Sequence, residues 1–310
     1  MQTIATLTMN PTIDGACEAE KIFPTHKIRT QGDRYDPGGG GINAARVLAR
    51  LGCGATAYYL AGGATGSVLD HLLDSCGVAR CRIDIAGHTR VAHSVYERST
   101  GQEYRFVPEG PLVSEGEWRA VLDRLAHLDV AWLVASGSLP RGVPDDFYAQ
   151  VGAIAAAKGA KLILDSSGPA LAAALAAGGV FLVKPSAGEF EQLVGRRLTT
   201  PAEIGAAAME LVQAGQAAHI AVTMGHLGAV LADQSGWSHL PAMPVEAKSA
   251  VGAGDSFLAG MTCAFARGWA PARAFRYGMA AGTAAVLTPG TDLCHKVDIE
   301  RLFAEIEERG

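Results

Sequence analysis

The sequence lacks most of the features that would take it away from the ordinary soluble enzymes. It has no Cys-x-x-Cys pair, and its six cysteines (Cys17, Cys53, Cys76, Cys81, Cys263 and Cys294) are scattered over 310 residues. No zinc spacing follows from that distribution, and a chain of this size needs no staple, so reduced thiols are expected. There is no His-Glu-x-x-His, and the nine histidines lie apart, which argues against a histidine metal site. Long apolar runs are missing too. The longest, Ala170 to Val183, is broken by Gly178-Gly179 and is too short to span a bilayer. Met1 to Met9 has a strand-like pattern without a basic region or cleavage site, so no secretory signal is expected. Charge is sparse, at 18% of residues with a net −5, and nothing favours nucleic acid or an anionic membrane. Any bound phosphate must then be held by a local group of bases. Hydrophobic residues make up 49%, which excludes disorder and leaves room for one large domain with at most a small appendage. A soluble cytoplasmic protein is the expectation.

The common nucleotide motifs are missing as well. No Gly-x-x-x-x-Gly-Lys-Ser/Thr occurs, so this is not a P-loop enzyme. Gly38 to Asn43 lacks the third glycine of a dinucleotide fingerprint, and Gly252-x-Gly254 meets Phe257 where that glycine would stand. What is present is Ser249 to Gly260, a glycine-rich turn entering a helix with Asp255 at its start. Gly252 and Gly254 allow a tight turn and close approach to a ligand. The unpartnered N–H groups of the first helical turn, at the positive end of the helix dipole, make such a turn an anion cradle. A carboxylate beside that cradle can accept a proton from an attacking hydroxyl while the cradle stabilises charge on the transferring group. The structural alternative is a helix cap and an ordinary turn.

Read in order, Gln2 to Met9 is a strand, and residues 12–36 mix polar and β-forming residues. Within them Lys27 and Arg29, two apart, would share one face of a strand. Gly38 to Gly41 then opens a helix through Asn43 to about Leu51. Ala55 to Ala61 is a strand and Val68 to Cys76 a helix. Arg90 to Arg98 and Gln102 to Val107 flank a Ser99-Thr100-Gly101 turn as a β-hairpin. Strand-like runs follow at Val130 to Ala135, Lys161 to Leu164, Val180 to Val183 and His219 to Thr223. Helical stretches separate them, and two more, Ala272 to Leu287 and Val297 to Glu308, finish the chain. Apolar strands alternating with helices predict an α/β fold with a doubly wound, mostly parallel sheet, whose ligands bind at the carboxyl ends of the strands. The expected division is an α/β body at 1–10, 37–89 and 109–310, with 11–36 and 90–108 meeting as a small β-layer.

Two glycine-rich turns, several candidate phosphate cations and the carboxylates Asp14 and Asp255 remain to be explained together. Gly38-Gly39-Gly40-Gly41-Ile42-Asn43-Ala44-Ala45 near the N-terminus and Val251-Gly252-Ala253-Gly254-Asp255 near the C-terminus are the principal signatures. Between them stand Gly62-Gly63-Ala64-Thr65-Gly66, Gly137-Ser138-Leu139-Pro140 and Asp165-Ser166-Ser167-Gly168. In this order and spacing the chain resembles, over essentially its whole length, the phosphofructokinase B branch of the ribokinase-like sugar kinases. Thr6-Leu7-Thr8, Asp14, Lys27, Arg29, Arg90, Tyr104-Arg105-Phe106 and Leu293-Cys294 look closest to its type-2 6-phosphofructokinases. The 1-phosphofructokinases and tagatose-6-phosphate kinases are near relatives and stand as alternatives.

The resemblance implies a role for each matching position. Asp255 is similar to the base, with Gly252, Ala253 and Gly254 in the anion hole. Asp14, Gly39 and Asn43 match sugar-hydroxyl positions. Arg90 and Ser138, with Lys27 and Arg29, resemble the clamp on the sugar's existing phosphate. Lys184, Ser186, Thr223, Gly225 and Gly228 match nucleotide-contacting positions. Glu189 matches the acid of the Asn-x-x-Glu motif that places hydrated magnesium. ATP as co-substrate, magnesium, a monovalent cation and a homodimer built on the β-layer are implied in the same way.

Two positions depart from the pattern. Ser186 replaces the motif's asparagine, and a hydroxyl reaches less far and offers one donor instead of two. Ala250 replaces the usual Thr or Ser before the second glycine turn. Singly, each site residue also has a structural reading: Asp14 as a turn cap, Asn43 as an N-cap, Glu189 as a first-turn acid, the arginines and Lys27 as solvated strand residues. Together and in order they favour a kinase site. A non-catalytic sugar-phosphate sensor of the same fold is the alternative of a different class, motivated by Ser186 alone.

Overall fold

In the central strands successive side chains are nearly all apolar, which requires a sheet covered on both faces. A computed structural model of the chain describes residues 2–309. Its first third runs β1 (Ile4–Thr8), β2 (Thr12–Ala19), β3 (Thr30–Gly38), α1 (Gly40–Arg50), β4 (Ala55–Ala61), α2 (Gly63–Ser75), β5 (Ala79–Asp84), β6 (Arg90–Glu97) and β7 (Gln102–Phe106). The middle continues α3 (Glu115–Ala126), β8 (Trp132–Ser136), α4 (Phe147–Ala157), β9 (Lys161–Asp165), α5 (Gly168–Ala177), β10 (Val180–Val183), α6 (Ala187–Val194) and α7 (Pro201–Gln213). The last third is β11 (Ala217–Thr223), β12 (Ala229–Asp233), β13 (Gly236–Leu240), α8 (Ala253–Ala266), α9 (Pro271–Val286) and α10 (Lys296–Arg309).

Nine strands form the main sheet in the order β13-β12-β11-β10-β9-β8-β1-β4-β5. Pairing is parallel from β5 to β11 and antiparallel at β12 and β13. The doubly wound, mostly parallel sheet is therefore as expected. Its alternation sorts the core in two. Leu133 and Ala135 of β8 join Val121, Phe147 and Val151 of α3 and α4 on one face. Trp132 and Val134 join Val47, Leu258 and Phe275 of α1, α8 and α9 on the other. Every central strand is sealed from water on both sides, so only the strand ends are open to ligands.

The packing of α1 against α8 corrects one expectation. Cys53, just past α1, and Cys263 in α8 are both fully buried and form a disulfide, with their Cα atoms 5.9 Å apart. That Cα separation lies in the range a disulfide needs. The two are 210 residues apart in sequence, a distance no spacing pattern reads. Cys17, Cys76, Cys81 and Cys294 remain thiols.

A second sheet of four strands has the order β3-β2-β6-β7. β2 runs antiparallel to β3 and parallel to β6, and β6–β7 is the expected hairpin. Lys27 and Arg29 are not on a strand, contrary to expectation. They lie in the exposed connection between β2 and β3. Pro24 cannot donate to a ladder, and Thr25 next to it has φ 65°, so the chain turns out of the sheet there.

Candidate active site

Two helix starts meet at the carboxyl end of the main sheet. Gly39 caps α1 with φ 109°, and a Cβ there would stand 2.7 Å from Thr8 Cγ2 at the end of β1. Only glycine allows both the backbone angle and the approach. Gly252 caps α8 in the left-handed region, φ 72°. In α8 the first intrahelical bond runs from Ser256 N–H to Gly252 O at 2.9 Å. The N–H groups of Gly254 and Asp255 precede it and stand at the positive end of the helix. Ala253 N–H reaches back to Ala250 O at 3.4 Å.

Asn43 in the first turn of α1 spans the gap. Its Nδ2 donates to Asp255 Oδ2 at 2.9 Å. Burial raises the Asp255 carboxyl above its ordinary range, opposed by the Asn43 hydrogen bond and by Lys184, with Asp14 adding to the rise. A carboxylate so placed is a stronger base than one in water, and among the described residues it has a single fixed side-chain donor.

Lys184, just beyond β10, is buried and pairs with Asp165 at the end of β9, Nζ to Oδ1 3.2 Å. A Cβ on Gly254 would stand 3.2 Å from the same Nζ, so the ammonium lies against the first turn of α8. Thr223 ends β11 next door, and Gly225 and Gly228 follow it. Thr223 N–H donates to Pro185 O at 3.0 Å, and Gly228 N–H closes on Gly225 O at 3.1 Å. Four of the five expected nucleotide positions thus line adjacent strand ends. The fifth, Ser186, caps α6. Its Oγ accepts from Glu189 N–H at 3.4 Å, while Glu189 Oε2 accepts from Ser186 N–H at 2.8 Å and from its Oγ at 2.7 Å. This reciprocal capping box is made through Oε2 of Glu189.

The second sheet covers this end of the body. Asp14 of β2 shares a small cavity with Ser94, Arg105 and Thr291. Burial raises its carboxyl, against the nearby charges of Arg105, Arg90 and Arg46. Arg90 bridges both connections of the small sheet, donating to Pro108 O and to Asn10 O at 2.9 Å each. Asn10 Nδ2 in turn reaches Ser138 Oγ at 3.5 Å. Arg90 and Ser138 are therefore gathered round one residue. Lys27 and Arg29 are not brought to these groups; both are exposed on their connection.

A family description, pfkB family carbohydrate kinase, matches residues 7–298. The chain belongs to the pfkB family. An ATP-dependent 6-phosphofructokinase isozyme 2 of Mycobacterium tuberculosis is 44% identical over 302 residues, covering 97% of this chain and 88% of that one. Its Escherichia coli namesake is 40% identical over 305 residues, covering 98% and 99%. The crystal structure of phosphofructokinase-2 from Escherichia coli in complex with potassium superposes with a TM-score of 0.95 at 39% identity, over 99% of this chain and 100% of that one. The fold is accordingly ribokinase-like and the activity is that of a carbohydrate kinase.

Within this pfkB kinase, three groups at the site had no role assigned from the sequence. Asp165 was read as part of a strand-end motif without a partner, and its pairing with Lys184 depends on the adjacency of β9 and β10. Arg105 was open between structure and function; it supplies the foremost charge acting on Asp14. Arg46 had no signal except its place three residues after Asn43, one turn along α1.

Proposed function

We propose that the chain transfers the γ-phosphoryl group of ATP to the C1 hydroxyl of fructose 6-phosphate, giving fructose 1,6-bisphosphate and ADP. The observation that carries this reading is Asp255, held by Asn43 at 2.9 Å in the first turn of α8 beside the Lys184 ammonium. The sugar hydroxyl loses its proton to Asp255 as its oxygen bonds to the γ-phosphorus, and the bond to the β,γ-bridging oxygen breaks toward ADP. Charge on the transferring group falls at the Gly254 and Asp255 N–H groups and at Lys184, which is positioning plus electrostatics.

Asp14 and Gly39 are placed to hold sugar hydroxyls, and Arg90 and Ser138 to receive the 6-phosphate. Lys184, Ser186, Thr223, Gly225 and Gly228 form the nucleotide side. Magnesium fits this donor set, because it keeps most of its waters and needs few protein carboxylates. Glu189, with Oε1 outside the capping box, would hold it through water, and the ion would neutralise phosphate charge when bound. A monovalent cation as activator belongs to the same proposal, in line with the potassium held by the Escherichia coli relative. The body and the small sheet are proposed as catalytic domain and lid, in a cytoplasmic homodimer.

The test is ADP release with magnesium and ATP over fructose 6-phosphate, fructose 1-phosphate and tagatose 6-phosphate, in wild type and Asp255→Asn. Fructose 6-phosphate should give the highest kcat/KM. Asp255→Asn should lose kcat by on the order of 10²-fold or more with KM within a few fold. A variant with near-normal kcat removes Asp255 as the base.

A further inference from the structure

We infer that Arg46 is a positioning residue that couples the small sheet to the catalytic base by fixing the orientation of the Asn43 amide. The inference rests on the reading of Asp255 as the base.

Arg46 lies on α1 one turn after Asn43 and is 4% exposed. Its one guanidinium plane serves three acceptors. Nη1 donates to Asn43 Oδ1 at 3.2 Å and to Pro37 O at 2.9 Å, and Nη2 pairs with Asp36 Oδ1 at 3.3 Å. Asp36 and Pro37 belong to β3, the strand of the small sheet that leads into Gly39. Asp36 is itself anchored, its Oδ2 accepting from Arg34 Nε at 2.8 Å and from Thr291 Oγ1 at 2.5 Å.

An amide has one acceptor end and one donor end. Because Arg46 has only donors, it claims Asn43 Oδ1 and leaves Nδ2 for Asp255, at 2.9 Å. The reverse orientation would set Oδ1 against the carboxylate and Nδ2 against the guanidinium, two repulsive contacts. A continuous chain of polar contacts therefore runs from Asp36 through Arg46 and Asn43 to Asp255. Displacing β3 withdraws Asp36 and Pro37 O from Arg46, and the amide loses its fixed end. The proton affinity of the base then depends on where the small sheet sits.

The other charged groups bearing on Asp255 are Lys184 at the end of β10, Asp14 on β2 and, paired with Lys184, Asp165 at the end of β9. None of them touches Arg46 through a hydrogen bond or ion pair among the described residues, but the Arg46 charge acts on Asp14, so the charge at position 46 has to be kept when the contacts of Arg46 are changed.

The experiment is the pH profile of kcat/KM for Arg46→Lys and Asp36→Asn, each alone and combined with Asn43→Ala. Arg46→Lys keeps the charge but replaces the two donating nitrogens of the fork, Nη1 and Nη2, by a single one. Asp36→Asn removes a negative charge, which through its field alone would make Asp255 easier to ionise. Through the amide both changes weaken the hydrogen bond that favours the ionised base. The acid limb should therefore move to higher pH, by on the order of half a pH unit or more. With Asn43→Ala in place neither change should move it further upward. Equal shifts with and without Asn43, or a downward shift in Asp36→Asn alone, overturn the inference. A nearly inactive Asp255→Asn beside such a result shows that the relay fails while the base stands. An active Asp255→Asn shows that the base assignment itself fails.

Discussion

The Lys184 ammonium stands 3.2 Å from Asp165 Oδ1 and lies against Gly254 in the turn that carries Asp255. One buried cation thus serves two carboxylates from separate parts of the chain. Burial pushes the Asp165 carboxyl up to about 6, with Lys184 opposing the rise and Asp255 adding to it. Asp255 makes Asp165 harder to ionise, and the lysine favours the charged form of both.

Lys184→Met should expose that balance. Removing a positive neighbour disfavours the charged form of both acids, so their pKa values rise. A base must be ionised to act, and the acid limb of the kcat/KM profile should move up by on the order of one pH unit. At neutral pH kcat should fall by about tenfold or more, since charge on the transferring group also loses its cation. An unmoved acid limb would place the role of Lys184 outside the Asp255 environment.

Arg90 joins both connections of the small sheet through Asn10 O and Pro108 O. It is thus a hinge tie as well as the proposed phosphate ligand. Arg90→Ala should raise KM for the sugar phosphate, by a factor matching roughly 1.5–3 kcal/mol, and change KM for ATP little. Arg90→Lys should not rescue it, because one ammonium cannot span two carbonyls and a phosphate. Full rescue by lysine, read from steady-state kinetics, would reduce Arg90 to a point charge.

Ser186 and Glu189 illustrate a different conflict, between capping and metal placement. Ser186→Asn keeps a good N-cap residue and lengthens the donor arm. It should leave thermal stability nearly unchanged and lower the magnesium concentration for half-maximal rate. Ser186→Ala should lower stability by about 1 kcal/mol through loss of the cap. A higher magnesium requirement in Ser186→Asn would mean that this chain's site is built around serine.

These contrasts mark what a linear reading can and cannot reach. The two glycine turns, Asn43 and Asp255 were legible because backbone angle, helix start and carboxylate all lie within a few residues. Asp165 and Arg46 were not, since their partners are set by strand order and by a turn of α1 against another sheet. β5 escaped because Arg80, Arg82 and Asp84 give this edge strand the look of a polar loop. α6, only eight residues long, was announced by Ser186-x-x-Glu189, a capping box read as a metal and nucleotide motif, with a first-turn acid as the structural alternative for Glu189. The strand expected at Lys27 and Arg29 fails at Pro24, which was itself a legible break.

The outer face of the small sheet carries the last prediction. Strand alternation sends Asp14, Asp36 and Arg105 to the face that carries the site, while the root of the other face, Ile13 and Val91, packs on the body. Tyr35, His93, Val95, Tyr104 and Phe106 fall on the opposite face: Gly15 lies between His93 and Tyr35, and Val95 and His93 pair with Tyr104 and Phe106. Tyr35 is 52% and Phe106 58% exposed, a large apolar area for a four-stranded sheet with open edges. A second copy of the chain would cover such a face by two-fold symmetry and protect the edges as well. Phe23, also exposed, lies on the same β2–β3 connection as Lys27, so pairing of two sheets would carry Lys27 toward the neighbouring site. Val95→Asp places a carboxylate in the middle of this face, where burial without a partner is unfavourable. Sedimentation should then show a dimer becoming a monomer, with activity falling in step and recovering in part at high protein concentration. A Val95→Asp monomer with full activity would separate assembly from catalysis and leave the Lys27 ammonium with no part in the reaction.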